Sequence, residues 1–125
     1  MDTKIKVLLI DDEPIVAERV KSSLEMSDYH VDAFVSSQDA IDQLKKEKYD
    51  ILITDLKMKS PDGMEVLRIA RQIQSDIKAL VITGFATNKT AEEARQSGAV
   101  EFIAKPFKMS ELKKMLKTIS GIEGK

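Results

Sequence analysis

The stretch Val7-Leu8-Leu9-Ile10-Asp11-Asp12-Glu13-Pro14-Ile15-Val16 runs four apolar residues into three acids and then into a proline. An unbroken apolar run of this length reads as a strand covered on both faces, the condition of a strand inside a parallel sheet. Pro14 suits the first turn of a helix, where its missing N–H costs nothing. The stretch is therefore the opening of a βα unit, with carboxylates at the end of its strand. Three acids in that position repel one another and need a cation or a reaction to hold them there.

The same alternation of short apolar runs with amphipathic stretches recurs five times along the chain. Strands are expected over Lys4–Ile10, His30–Val35, Asp50–Thr54, Ile77–Thr83 and Val100–Ala104. Helical stripes at i, i+3 and i+4 follow. Val16, Val20 and Leu24 make one, Ala40, Ile41 and Leu44 a second, Val66, Leu67, Ala70 and Ile73 a third. Asn88 to Ser97 turns only Ala91 and Ala94 inward, and Leu112, Met115, Leu116 and Ile119 make the last. Ser36 and Ser110 are the expected helix N-caps, and Gly63 and Gly98 the expected turn residues. His30, the only histidine, opens an edge strand and reads as solvated, and the six methionines read as packing.

Ile51-Leu52-Ile53 and Leu80-Val81-Ile82 are as apolar as the first run, whereas the second and fifth strands are interrupted by Asp32 and Glu101. Edge strands tolerate such charge. The order 2-1-3-4-5, with right-handed crossovers, satisfies both observations and gives a flavodoxin-like (βα)5 α/β fold with helices on both faces of a five-stranded parallel sheet.

At 125 residues and 42% apolar content the chain can fill one core, and 20 Lys+Arg against 21 Asp+Glu leave a net charge of -1. Bulk charge points to neither nucleic acid nor membrane. The absence of cysteine excludes disulfides and thiolate metal sites. MDTKIK has no apolar h-region, so neither a signal peptide nor an anchor is expected, and the cytoplasm is the expected location. The expected domain spans residues 1–120, with 121–125 a flexible tail or the start of a linker.

Four strands that are contiguous in this order end in reactive side chains: Asp11 and Asp12, Asp55, Thr83, and Lys105. Ligands in open α/β sheets bind beyond those strand ends. Any one of these residues alone reads as an ordinary turn or capping residue, but together they bring three carboxylates, a hydroxyl and an ammonium to one crevice. All-oxygen ligation selects Mg²⁺, with Mn²⁺ possible, and Mg²⁺ keeps several waters and pairs with phosphate. A carboxylate can serve as nucleophile in phosphoryl transfer while a lysine and a hydroxyl stabilise the phosphoryl oxygens.

The segments LLIDDEP, ILITDLKM with DG following, LVITGFA and FIAKPF resemble the signature segments of receiver domains of two-component response regulators, in order and over nearly the whole chain. The resemblance implies that Asp55 accepts a phosphoryl group from a phosphohistidine of a sensor histidine kinase or phosphotransfer protein. It implies that Asp12, Asp55 and the backbone carbonyl of Lys57 ligate Mg²⁺, with Asp11 acting through a water. Thr83 and Lys105 would hold the phosphoryl group, Phe102 would be the aromatic switch that turns inward behind Thr83, and Lys105-Pro106 would carry a cis peptide. Output would pass through the α4-β5-α5 surface to a downstream protein, an attached output domain, or a second copy in a phosphorylation-dependent homodimer. The chain departs from the family pattern in placing Lys59 where proline is usual, with Pro61 two residues later. Lys57 and Phe85 would wall the approach of water from opposite rims and so prolong the phosphorylated state.

Three other functions fit less well. A haloacid dehalogenase-type phosphohydrolase carries its nucleophile at the end of the first strand in a D-x-D pattern and usually has a cap. A flavodoxin-like cofactor module needs a Ser/Thr/Gly-rich phosphate loop where this chain has acids. A receiver that cannot be phosphorylated would lack one of the required side chains. Whether the chain stands alone or heads a longer regulator stays open on the sequence.

Overall fold

The computed structural model describes residues 4–57 and 62–120. The elements run β1 (Ile5–Ile10), α1 (Pro14–Glu25), β2 (Tyr29–Phe34), α2 (Ser37–Leu44), β3 (Ile51–Thr54), α3 (Gly63–Ile73), β4 (Lys78–Thr83), α4 (Asn88–Gln96), β5 (Ala99–Ala104) and α5 (Met109–Ser120). Every adjacent pair of strands is parallel and the order is β2-β1-β3-β4-β5. Each strand starts within one residue of its expected position, because the short apolar runs of the sequence mark where the strands lie. The expected path of the loop carrying Lys59 and Pro61, and the tail at 121–125, lie outside the described residues.

Alternation along the strands sends successive side chains to opposite faces, and each face has its own core. Leu8, Ile10, Leu52, Ala79 and Val81 pack under α2, α3 and α4 through Ala40, Ile41, Leu44, Val66, Leu67, Ala70 and Ala94. Val7, Leu9, Ile51, Ile53, Leu80 and Ile82 pack under α1 and α5 through Ala17, Val20, Leu24, Leu112, Leu116 and Ile119. The three inner strands are buried on both sides, as their unbroken apolar runs require.

Ser36 caps α2, its hydroxyl accepting from the Asp39 N–H at 3.2 Å. Ser110 does not cap α5. That helix starts two residues earlier, at Met109, and the Glu111 carboxylate accepts from the Lys108 N–H at 3.1 Å, so the acid three residues on satisfies the free donor instead. Met26 is also not a packing residue. It follows the last turn of α1 and is 86% exposed, while Met64, Met109 and Met115 do pack on the two cores. Gly98 takes φ +114° between α4 and β5, where a Cβ would lie 2.3 Å from Arg71 Cδ.

The end of the sheet away from the acids is closed by polar side chains. Tyr49, 1% exposed, donates its hydroxyl to the Asp32 carboxylate and accepts from Gln43 Nε2 at 3.1 Å. Burial, then the hydrogen bond to Asp32, pushes the Tyr49 phenol above its ordinary pKa. Gln74, which ends α3, accepts from the Tyr49 N–H at 2.9 Å and donates to the carbonyls of Leu44 and Glu47. Strand β3 thereby enters the sheet from a fixed point.

Candidate functional site

The sheet's hydrogen bonding continues one residue past the strand ends. Asp11 N–H donates to the Phe34 carbonyl at 3.1 Å, Asp55 N–H to Ile10 at 3.2 Å, and Lys105 N–H to Thr83 at 2.8 Å. The residues that follow β1, β3 and β5 are therefore held by backbone on a rigid edge, and their side chains project into one crevice. Asp11 (2% exposed), Asp55 (5%) and Thr83 (0%) are buried, and Asp12 and Glu13 are exposed.

Lys105 joins the acids. Its Nζ lies 2.9 Å from Asp55 Oδ2, 3.0 Å from Asp11 Oδ2 and 3.8 Å from Glu13 Oε2. Burial alone would depress the ammonium, but hydrogen bonds to Asp55 and Asp11 outweigh it and hold the Lys105 pKa above its usual value. Burial pushes the Asp11 carboxyl up, against the opposing pull of the Glu13 N–H at 2.9 Å and of Lys105. A buried carboxyl so disposed gains from any further positive charge. The Lys105-Pro106 peptide is cis.

One carboxylate oxygen from each of Asp11, Asp12, Glu13 and Asp55 lies within 4.8 Å of the others. The donor set is all oxygen, open to solvent through Asp12 and Glu13, and contains no histidine or sulfur. It fits a hard divalent cation that keeps water in its shell. Glu13, the third acid after the first strand, joins this cluster although the resemblance assigns it no role. Its place beside Asp12 in the chain is the signal that could have found it.

Asp55 Oδ1 accepts from the Lys57 N–H at 3.2 Å, and Lys57 carries its ammonium to 4.8 Å from the centre of the Phe85 ring. The two residues expected on opposite rims thus meet across the crevice. Thr83 Oγ1 accepts from the Phe85 N–H at 3.1 Å. Phe102, half-buried on the same face of the sheet as Thr83, packs against the core and lines a groove of about 190 Å³ with Ala91, Ala94 and Val100. It is two residues from Ala104, the β5 partner of Thr83.

A parallel sheet in this order, with acids, a threonine and a lysine at four contiguous strand ends, has the CheY-like α/β fold. The chain belongs to the response regulator receiver domain family, whose model matches residues 7–117. It is 31% identical over 115 residues to the response regulator receiver protein CpdR of Brucella abortus, covering 89% of this chain and 96% of that protein. It is 32% identical over 107 residues to the C4-dicarboxylate transport transcriptional regulatory protein DctD of Rhizobium meliloti, covering 86% of this chain but 23% of that one. The chain thus spans nearly all of one such relative and under a quarter of another. Among solved structures it resembles a CheY-like receiver domain protein of Methanospirillum hungatei, with TM-score 0.89, 22% identity and coverage of 97% and 98% of the two chains. It also resembles a response regulator of Burkholderia pseudomallei bearing a phosphorylated aspartic acid and a calcium ion, with TM-score 0.83, 24% identity, and coverage of 98% of this chain and 76% of that one. Among the described residues no helix is long and apolar enough to cross a membrane.

Proposed function

We propose that residues 1–120 form a phosphoacceptor domain in which Asp55 takes a phosphoryl group from the phosphohistidine of a sensor histidine kinase or phosphotransfer protein. The observation that carries this reading is the position of Asp55, buried between the Lys105 ammonium and the acid cluster at the centre of the strand ends. One carboxylate oxygen of Asp55 attacks phosphorus, the P–N bond to the donor imidazole breaks, and its electron pair returns to the ring nitrogen. The product is an aspartyl phosphate. Lys105, already hydrogen-bonded to Asp55, stays close enough to neutralise the added oxygens, and the Thr83 hydroxyl turns to reach them.

Asp12, Asp55 and the Lys57 carbonyl would hold Mg²⁺ directly and Asp11 through a water, with Mn²⁺ as a substitute. The cation supplies charge neutralisation for the acids and the phosphoryl oxygens. The domain is a signalling switch that catalyses its own phosphorylation and slow dephosphorylation, not an enzyme acting on other substrates. Its output passes through α4, β5 and α5 to a downstream protein, an attached output domain or a second copy, in the cytoplasm, without direct contact with nucleic acid or membrane.

Incubation with acetyl phosphate and Mg²⁺, followed by intact mass, tests the reading. One phosphoryl group is expected on the wild type and none on Asp55→Ala. Equal labelling of the variant would sink the assignment.

A further inference from the structure

Phe85 is held at three points by three different elements. Its N–H donates to Thr83 Oγ1 at 3.1 Å, its ring faces the Lys57 ammonium at 4.8 Å, and its carbonyl accepts from Thr90 Oγ1 at 2.7 Å. Thr90 is the third residue of α4, paired with the N-cap Thr87: the Thr90 N–H donates to Thr87 Oγ1 at 3.0 Å and the Thr87 N–H to Thr90 Oγ1 at 2.9 Å. At this position of a capping box the usual residue is Glu or Gln. A carboxylate there could accept from the Thr87 N–H but could not donate onward. The single hydroxyl oxygen of Thr90 does both: of the oxygens its proton can reach, the Phe85 carbonyl at 2.7 Å is nearer than the Thr87 carbonyl and Thr87 Oγ1, each at 3.1 Å, and so it ties the first turn of α4 to the loop that follows Thr83.

We propose that Thr90 is a positioning residue for the switch, its hydroxyl holding Phe85, and through the Phe85 N–H the Thr83 hydroxyl, in the resting position. The inference rests on the reading of Asp55 as phosphoacceptor. Thr83 Oγ1 cannot turn toward Asp55 without leaving the Phe85 N–H or drawing Phe85 with it. Leaving strips a donor of its partner, and drawing Phe85 along breaks its bond to Thr90. Either route has a free-energy cost that the phosphoryl group must offset, and Thr90 sets the second. The movement of Thr83 is thereby coupled to the start of α4, on the face expected to carry output.

The test compares Thr90→Val, which keeps the branched side chain and loses the hydroxyl, with Thr90→Ser, which keeps the hydroxyl. Thr87→Ala serves as a third variant, because it removes the cap acceptor while leaving the Thr90–Phe85 bond. Two quantities are read: affinity for beryllofluoride with Mg²⁺, and hydrogen exchange of the Phe85 amide in the unliganded protein. Thr90→Val is expected to bind beryllofluoride about fivefold more tightly and to exchange the Phe85 amide about fivefold faster, the size of one lost net hydrogen bond. Thr90→Ser and Thr87→Ala should stay within about twofold of wild type in both, even though Thr87→Ala loses a cap and some stability. Unchanged affinity in Thr90→Val, or the same gain in Thr87→Ala, would overturn the proposal, since a plain capping role would behave that way. Faster exchange in Thr90→Val with no beryllofluoride binding by the wild type would instead overturn the phosphoacceptor reading. Should Thr90→Val not fold, the wild type decides: the Phe85 carbonyl and Thr90 Cβ carbon shifts must both move on beryllofluoride binding, and fixed shifts would refute the latch.

Discussion

Asp11 and Asp12 are neighbours in the chain and stand in opposite environments. Asp11 is 2% exposed and committed to Lys105 and the Glu13 N–H, while Asp12 faces solvent beside Glu13 and Asp55. The exposed carboxylate is the freer of the two to enter a cation's inner shell, so Asp12→Asn is expected to weaken Mg²⁺ binding by roughly tenfold or more, and Asp11→Asn by less. Magnesium titrations of the two variants rank them, and the reverse order would mean the pair is assigned backwards. The second residue-scale expectation concerns Lys57 and Phe85. They touch beside Asp55, whose Oδ1 accepts from the Lys57 N–H, and neither side chain has a carboxylate or amide to orient an attacking water. The aspartyl phosphate is therefore expected to decay slowly, over about many minutes or longer, and ~1.4 kcal/mol off the barrier would make decay tenfold faster. Because the wall is a single contact, Lys57→Asn or Phe85→Glu alone should speed decay severalfold, and the double variant should add little. Phosphate release followed at fixed Mg²⁺ checks this; a double variant as slow as wild type would remove the contact from control of lifetime.

At the scale of elements, the start of α3 is built against the backbone of Asp55 and Leu56. Asp62 and Glu65 form a reciprocal cap at 3.1 and 3.0 Å, and the Gly63 N–H donates to the Leu56 carbonyl at 3.1 Å. A Cβ on Gly63 would lie 2.1 Å from the Asp55 carbonyl oxygen and 2.6 Å from Leu56 Cα, both backbone atoms with no room to give. Gly63→Ala is thus expected to cost about 1–3 kcal/mol or more in urea denaturation and to slow phosphorylation by displacing Asp55. Stability equal to wild type would show that α3 can retreat without cost. The composition of the segment marks Gly63 as a turn residue, but its actual constraint is the closeness of another backbone. That distance is a property of two elements packed together, which neither element's sequence contains.

For the molecule as a whole, the two cores and the parallel edge make the sheet a rigid frame, so a change at Asp55 is carried by the loops and by the side chains next to the strand ends. Phe102 borders the open groove between α4 and β5, and Thr83 is on the same face. Amide shift mapping with and without beryllofluoride is expected to show changes concentrated in α4, β5 and α5. Changes confined to β2 and α2 would contradict that surface. The sequence by itself determined the strand order and the residues at the strand ends. Burial on two faces demands unbroken apolar runs, charge is tolerated at edges, and each inner run gives way to polar residues at its end; all three are local properties of a stretch such as residues 7–16. Tertiary structure alone decided the contact of Lys57 with Phe85, the hold of Thr90 on the Phe85 carbonyl, the pairing of Tyr49 with Asp32, and the exposure of Met26. Each depends on where one loop or helix end comes to rest against another, and that placement is set by the packing of the whole sheet and its helices rather than by the preferences of the residues that meet.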